Sequence, residues 1–155
     1  MDKFSQEDKL YELVTFEDDL KCLPENTPCK EFIKEKTVTI PKVKPKIEQL
    51  SKIIIKPMVT SYKRISTLEG PKLLIQGKIV EKVFYVADNT EQTVHAAKFS
   101  FPFCNFIKLV KKRRIEEIKV NVEDILVKLK CGKKLEQCIL LIICAIPKKK
   151  CRPRC

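Results

Sequence analysis

Apolar side chains recur at every second position along most of this chain, and this alternation restricts the fold more than any other feature of the sequence. Successive side chains of a β-strand point to opposite faces of its sheet, so a period of two predicts a strand with one buried face. The clearest run places five residues on one parity: Leu73, Ile75, Ile79, Val83 and Tyr85. Ile, Val, Leu and Phe dominate the apolar residues, and this set favours strands. The sequence therefore predicts an all-β protein.

Turn signals separate the alternating runs. Gly70-Pro71 precedes the run just described, Asp88-Asn89-Thr90 follows it, and Cys131-Gly-Lys-Lys134 has the composition of a hairpin turn. Between the last two turns, one strand face is expected to hold Thr93, His95, Ala97, Phe99, Phe101 and Phe103. Short strands at such intervals, without a βαβ rhythm, predict an antiparallel β-sandwich of the jelly-roll or immunoglobulin-like type.

Two finer features are expected in the C-terminal half. The apolar parity is even up to Val122 and odd from Ile125, so a β-bulge or bend is predicted at Glu123-Asp124. The run from Cys138 to Ile146 is apolar on both faces, which predicts a central or covered strand. Lys108 to Glu117 is the best candidate for a helix, although its apolar spacing is poor.

Charge and composition divide the chain into three predicted parts: an acidic N-terminal arm at residues 1–37, the β-sandwich at residues 38–146, and a basic tail at residues 147–155. The net charge is +12, but the first 31 residues carry −5 and the remainder carries +17. Solvated surfaces would account for these runs without any partner. Alternatively, the acidic arm of one copy attracts the basic body or tail of another, because patches of opposite sign steer association.

Neither a membrane span nor a secretory signal is expected. The longest uninterrupted apolar run, residues 138–147, is about half the length that a membrane helix requires. The N-terminus is too acidic and polar for a secretory signal. We therefore expect a protein that is made in the cytosol and has no membrane partner.

The sequence offers little catalytic chemistry. His95 is the single histidine, and its position among phenylalanines predicts a structural role within a sheet rather than a general base. The acidic residues form no recognisable catalytic pair, and the three glycines build no phosphate-binding loop. Cys104 would need a neighbouring base to act as a nucleophile, so a buried thiol is predicted instead. We expect no enzyme activity and no cofactor.

The eight cysteines have spacings that do not match the close pairs typical of zinc sites, so no metal site is predicted. Cys138 and Cys144 fit small hydrophobic positions of an apolar strand. Four other cysteines lie in polar or proline-bearing ends of the chain and are expected to be exposed: Cys22, Cys29, Cys151 and Cys155. Exposed thiols in basic surroundings favour disulfide exchange. We therefore predict disulfides between copies at these four positions.

Four ordered blocks of sequence carry a resemblance. The first block is Ile40-Pro-Lys-Val-Lys-Pro-Lys-Ile-Glu-Gln-Leu50, and the second is Leu74-Ile-Gln-Gly-Lys-Ile79. The third is Val83-Phe-Tyr-Val-Ala87, and the fourth is Gln92-Thr-Val-His-Ala-Ala-Lys-Phe99 followed by Pro102-Phe103. Together they resemble the SPOCS domain, a spore-coat-assembly family of clostridia and bacilli. The resemblance covers residues 38–110 and extends more loosely to 146. Lys46 and Lys98 depart from it, because the family tends to have Asp and His there.

The resemblance implies structural roles for seven residues of these blocks: Pro45, Gly77, Tyr85, His95, Phe99, Pro102 and Phe103. It also implies a protein that is made in the mother-cell cytoplasm and deposited on the spore surface, in the coat, the exosporium or an appendage. The partners would be further copies of the chain and other spore-coat proteins.

The favoured function is a self-assembling structural subunit of the outer spore layers, joined by disulfides and by exchange of strands or arms between copies. A monomeric adaptor that binds another coat protein is an alternative that the family allows. A nucleic-acid-binding β-domain would need aromatic residues interleaved with lysines on one sheet face, whereas Phe99, Phe101 and Phe103 are expected in the core. Nucleic acid is therefore not an expected partner.

Overall fold

The computed structural model describes residues 11–16, 20, 23–110 and 113–148. Seven strands account for most of them: β1 (Glu12–Thr15), β2 (Cys29–Thr39), β3 (Ile47–Thr67), β4 (Gly70–Ala87), β5 (Val94–Lys108), β6 (Ile115–Lys130) and β7 (Lys134–Pro147). The described residues form no α-helix, so none of them builds a helix that could span a membrane. The prediction of an all-β protein is confirmed. The helical alternative at residues 108–117 is wrong, because β5 runs to Lys108 and β6 begins at Ile115.

The strands form two sheets. The four-stranded sheet has the order β1-β3-β4-β5, and the three-stranded sheet has the order β2-β7-β6. Every pair is antiparallel except β1 with β3, which is parallel over four residues. Neighbours in sequence are joined by short turns in β3-β4, β4-β5 and β6-β7, whereas β2 pairs with β7 across most of the chain. A predicted turn lies at each of the two later hairpins, at residues 88–90 and 131–134.

Both sheets contribute to one apolar core. The predicted inward run of β4 is buried, and Ile75, Ile79 and Val83 are fully inaccessible to solvent. Across from it, β7 buries Leu135, Ile139, Leu141 and Ile143 to the same degree. Each of these two strands is flanked on both sides in its own sheet, so the prediction that the apolar run from Cys138 to Ile146 is a central strand is confirmed. The two-sheet arrangement fits the predicted sandwich, and the jelly-roll or immunoglobulin-like type stays a prediction.

The predicted β-bulge is present. The register of β6 against β7 shifts between Val122 and Asp124, which leaves Glu123 as the extra residue. Before the shift, even-numbered residues such as Val120 and Val122 face the core. After the shift, the odd-numbered Ile125 faces it. The parity change in the sequence therefore located an irregularity of the backbone to the residue.

The N-terminal segment contributes one edge strand to each sheet, and the predicted division into arm, sandwich and tail stays a prediction. Strand β1 lies at the edge of the four-stranded sheet, and β2 lies at the edge of the three-stranded sheet. The predicted boundary between residues 37 and 38 falls inside β2, because this strand runs from Cys29 to Thr39. Most of the predicted basic tail lies outside the described residues, which end at Lys148.

Candidate functional site: cysteines and buried signature residues

A disulfide joins the first residue of β2 to a residue near the C-terminal end of β7. Cys29 and Cys144 are direct register partners of the β2-β7 pair, and their sulfur atoms are bonded within the same chain. The prediction of an inter-subunit bond at Cys29 is thereby corrected. The sequence could not show this, because a facing position across 115 residues depends on how the two strands pair. The buried Cys144, expected to act as a small hydrophobic residue, is the partner.

Three further cysteines of the described chain are free thiols: Cys104, Cys131 and Cys138. Cys104 was predicted to be buried and is exposed, because it follows the inward-facing Phe103 and so points to the opposite face of β5. Cys131 is exposed in the β6-β7 turn, with a positive φ of 53°. Cys138 is half-buried on β7. The predicted cross-linking residues Cys22, Cys151 and Cys155 lie outside the described residues.

Gly77 and Phe103 form a tight contact between neighbouring strands. They are register partners of β4 and β5, and a Cβ atom at Gly77 would lie 2.3 Å from the Phe103 ring and 2.4 Å from the Met58 carbonyl oxygen. No side chain fits in that space. The Phe103 ring in turn contacts Phe32 of β2, with 5.6 Å between centroids. A glycine in the four-stranded sheet thus makes room for an aromatic contact between the two sheets.

Tyr85 ties the end of β4 to the segment before β3. Its hydroxyl donates a hydrogen bond to the Pro45 carbonyl oxygen at 3.1 Å, and burial raises the pKa of this phenol. The ring stacks on His95, its register partner on β5, at 5.8 Å. His95 Nε2 also lies 2.8 Å from the hydroxyl oxygen of Thr93. These contacts support the structural reading of His95.

The other two signature residues lie further along β5. Phe99 is half-buried and packs against the core, whereas Pro102 is exposed opposite Lys78. Pro102 lies on β5, an edge strand of the four-stranded sheet, where the missing N–H of a proline is tolerated. The structure therefore does not gather the seven signature residues into one site. They are distributed along β4, β5 and the segment before β3.

A buried polar pair spans the two sheets, and sequence reasoning missed it. The Gln137 Nε2 of β7 donates a hydrogen bond of 2.7 Å to the Glu81 carboxyl of β4. The sequence did hold a signal for both residues. Each is a polar residue at a position where the alternation of its strand places an inward, apolar side chain. Desolvation raises the pKa of Glu81 to about 7, and the hydrogen bond from Gln137 only partly opposes this.

The remaining oxygens of this pair, Glu81 Oε2 and Gln137 Oε1, have no hydrogen-bond partner in the structure. A neutral carboxylic acid carries one O–H donor, and the amide keeps one carbonyl acceptor. A proton on Glu81 therefore gives the two groups complementary donors and acceptors. The core holds Glu81 as an acid that is neutral over the acidic part of the pH range.

No group of three or more His, Cys, Asp or Glu residues suited to a metal ion occurs among the residues that the structure describes. The geometry defines an all-β domain of two sheets, in which a disulfide and a polar pair connect remote strands.

The family model of the SipL, SPOCS domain matches residues 46–130, which is more than half of the 155-residue chain. The chain therefore belongs to the SPOCS domain family, as the four sequence blocks indicated. This family is coat-associated, so membership indicates a spore-coat-related role and a spore-associated location. No curated protein matches the chain, and no solved structure matches it.

Proposed function

We propose that this protein is a structural subunit of the outer spore layers that self-assembles and is locked by disulfides between copies. Membership of the SPOCS domain family is the observation that carries this proposal. The chain also carries exposed free thiols in addition to its internal disulfide. A covalent bond at each contact would convert a reversible assembly into one that resists heat and denaturants. The coat, the exosporium and an appendage filament are all compatible sites of deposition.

The thiols available for such cross-links differ from the four that the sequence suggested. Cys29 is engaged with Cys144, and Cys22, Cys151 and Cys155 remain proposed. Cys104 and Cys131 join them, because their side chains are exposed and unbonded. These two residues lie on different elements, a sheet edge strand and a hairpin turn, so one copy can reach two neighbours. Two different contacts per copy lead to a ring or an open filament.

Strand exchange is the second proposed means of assembly. Strand β1 has only four residues and pairs with β3 in parallel, so it is held by few backbone hydrogen bonds. Transfer of β1 to the same position on a neighbour would preserve these bonds and link the two copies. The outer edge of β5 offers another template, because β4 is the one strand that pairs with β5 in the described part of the chain.

Electron microscopy and non-reducing gels of the purified full chain test the proposal. Oxidised protein is expected to form ordered assemblies whose covalent oligomers survive boiling in SDS and collapse to monomer with reductant. A Cys104→Ser/Cys131→Ser variant and a Cys22→Ser/Cys151→Ser/Cys155→Ser variant separate the two sets of thiols. The internal Cys29–Cys144 bond remains in both variants and serves as the matched control for oxidation. An oxidised chain that stays monomeric contradicts the proposal.

A monomeric coat adaptor is the second candidate function. It is favoured by one observation, namely that β1 and Cys29 are both tied to the body of their own chain. An adaptor would bind a different coat protein and would remain monomeric when oxidised. Pull-down of coat proteins by an oxidised monomer would favour this function over self-assembly.

A further inference from the structure

The outward face of the four-stranded sheet is basic. We define the basic face as the outward residues of β3, β4 and β5, whose lysines are Lys52, Lys56, Lys63, Lys72, Lys78, Lys82, Lys98 and Lys108. None of the paired outward positions of these three strands holds an acid. Glu12 of the edge strand β1 lies 3.9 Å from Lys52. Glu69, between β3 and β4, lies 3.0 Å from Lys72, and the remaining lysines of this face repel one another at short range.

Apolar side chains lie between these lysines. Val80 is 36 % exposed at the centre of β4, and its register partner on β3 is Lys56. Met58, the register partner of Lys78, is 38 % exposed. Further along β4, the ammonium groups of Lys52 and Lys82 lie 5.9 Å and 5.0 Å from the Phe84 ring centre. The basic face thus has an apolar centre surrounded by positive charge.

The outward face of the three-stranded sheet has the opposite charge at its centre. We define the acidic face as the outward residues of β2, β7 and β6, whose central acids are Glu31, Glu35, Glu123 and Asp124. The Glu31 carboxyl raises the pKa of Glu123, chiefly through a hydrogen bond between the two side chains. The two carboxyl groups therefore lie close to each other, and a partner that brings a cation would stabilise their charged forms.

Apolar side chains also lie at the centre of the acidic face. Ile33 is 61 % exposed and Leu126 is 56 % exposed. Leu140 and Ile142 of β7 are half-buried beside them. Lys128, Lys130 and Lys134 lie towards the hairpin end of this sheet, where Lys130 contacts Glu136 at 3.0 Å, and Lys119 lies towards its other end beside Cys144. The centre of the acidic face therefore combines exposed apolar side chains with acids, as the basic face combines them with lysines.

We propose that the basic face of one copy packs on the acidic face of the next copy, so that subunits stack along the normal to their sheets. The inference rests on the proposed function of self-assembly and specifies the contact through which it proceeds. The two faces belong to different sheets and point away from their shared core, so each copy offers one face to each neighbour. Such a heterologous contact does not close on itself in a pair and propagates as a stack.

Charge complementarity and apolar contact both favour a second copy as the occupant. Lysines of one copy would lie against the Glu31 and Glu123 carboxyls of the other and stabilise their charged forms. The exposed Met58 and Val80 would meet Ile33 and Leu126, so apolar surface is buried on both sides. A polyanion such as nucleic acid would neutralise the lysines but would leave the aliphatic centre without a partner, because its backbone offers phosphates and sugars.

The size of the contact predicts a reversible association. Three strands about 4.8 Å apart and eleven residues long, at about 3.3 Å each, give a projected area of about 500 Å² for the acidic face. Stable complexes typically bury about 800 Å² on each partner. The stack is therefore expected to depend on salt and to become permanent only when disulfides form.

Sedimentation velocity of the full chain tests the stack separately from the cross-links. Capping the free thiols with iodoacetamide blocks new disulfides and leaves the Cys29–Cys144 bond intact. We expect self-association at about 0.1 M salt that weakens at least about tenfold at about 1 M, because the Debye length falls from about 10 Å to about 3 Å. Salt-independent association, or none at low salt, overturns the proposal. Loss of disulfide oligomers in uncapped protein would instead count against the proposed cross-linking alone.

Charge-reversal variants locate the contact. Lys78→Glu/Lys82→Glu on the basic face and Glu31→Lys/Glu35→Lys on the acidic face should each abolish association by itself. An equimolar mixture of the two variants should restore it, because each reversed face then meets its complement on the other variant. A misfolded variant could not be rescued in this way. Lys42→Glu/Lys148→Glu, two exposed lysines off both faces, is the matched control and should associate as the unmodified protein does.

The mixture decides between a second copy and a polyanion. No rescue in the mixture, or equal loss in the control variant, contradicts the proposal. Salt-sensitive retention of a single-stranded DNA oligonucleotide by Lys78 and Lys82, without self-association, would assign the basic face to nucleic acid and overturn it as well.

Discussion

The two sheets of this protein are assembled by different means. In the four-stranded sheet, β3, β4 and β5 follow one another through short turns, and each pairs with its neighbour in sequence. In the three-stranded sheet, β2 pairs with β7 over sequence separations of 95 to 115 residues, and a disulfide closes that pair. The SPOCS match at residues 46–130 includes β3 to β6 and leaves out β2 and β7.

The difference shows that strands joined by short turns and strands far apart in sequence are stabilised by different interactions. Hairpins form with little loss of loop entropy, whereas pairing of β2 with β7 closes a long loop. The disulfide and the Glu81–Gln137 hydrogen bond both involve β7, the last strand. We therefore expect substitutions in the three-stranded sheet to lower stability by weakening the pairing of β2 with β7. Substitutions in the four-stranded sheet should lower stability by disturbing side-chain packing.

Removal of the disulfide should have the largest effect on stability. In a Cys29→Ala/Cys144→Ala variant the free energy of unfolding should fall by about 4 kcal/mol, because the bond restricts a loop of about 115 residues in the unfolded chain. Urea unfolding under oxidising conditions measures the change. Cys104→Ser, at an exposed free thiol, is the control and should cost less than about 0.5 kcal/mol. A loss below about 1 kcal/mol in the double variant would show that closure of β2 on β7 does not need the bond.

Gly77→Ala should be the most damaging single substitution in the four-stranded sheet. The added methyl group would overlap the Phe103 ring and the backbone oxygen of Met58, so the β4-β5 pair must shift. Overpacking of this kind should cost about 3 kcal/mol. Urea unfolding measures this loss, and Gln76→Ala, at the exposed neighbouring position on β4, is the matched control. Equal stability of the two variants would mean that the close approach at Gly77 relaxes freely.

The buried Glu81 should make stability depend on pH. Its pKa is about 7 in the folded protein, against an ordinary value of 4.5 for a solvated carboxyl, so the folded state binds more protons between these values. The stabilisation that comes from this difference in pKa is fully present below about pH 4.5 and is lost as the pH rises towards 7. It amounts to about 3 kcal/mol of the free energy of unfolding. Unfolding curves across this range measure the loss. Glu81→Gln keeps an amide partner for Gln137 and should abolish this part of the pH dependence. If the Gln variant loses stability with pH as the unmodified protein does, Glu81 is not the group responsible for the pH dependence.

Tyr85→Phe should give the smallest of these effects. The variant loses the hydrogen bond to the Pro45 carbonyl oxygen but keeps the ring in the core, so about 1 kcal/mol should be lost. Tyr62→Phe, at a tyrosine that is 47 % exposed, is the matched control and should change stability very little. Thermal unfolding of both variants provides the measurement. Equal stability would indicate that water replaces the Pro45 contact without loss.

Much of the fold was predictable because side-chain alternation is a local property. The inward face of β4, the bulge at Glu123 and the turn after Leu129 all follow from the order of apolar and polar residues. The same reasoning found the signature residues through their resemblance to the family. It failed for Cys104, where the alternation pointed outward but the residue type suggested burial. Sequence parity was the better guide there.

Most of the strands from β3 onward, their inward faces and the family follow from the order of residues, because each depends on residues close together in the chain. The pairing of Cys29 with Cys144, the contact of Glu81 with Gln137 and the difference in charge between the two outward faces arise only when the chain folds. These features depend on which strands become neighbours and in what register. That choice is made by burial of the shared core and by loop closure over most of the chain, and no local pattern encodes it.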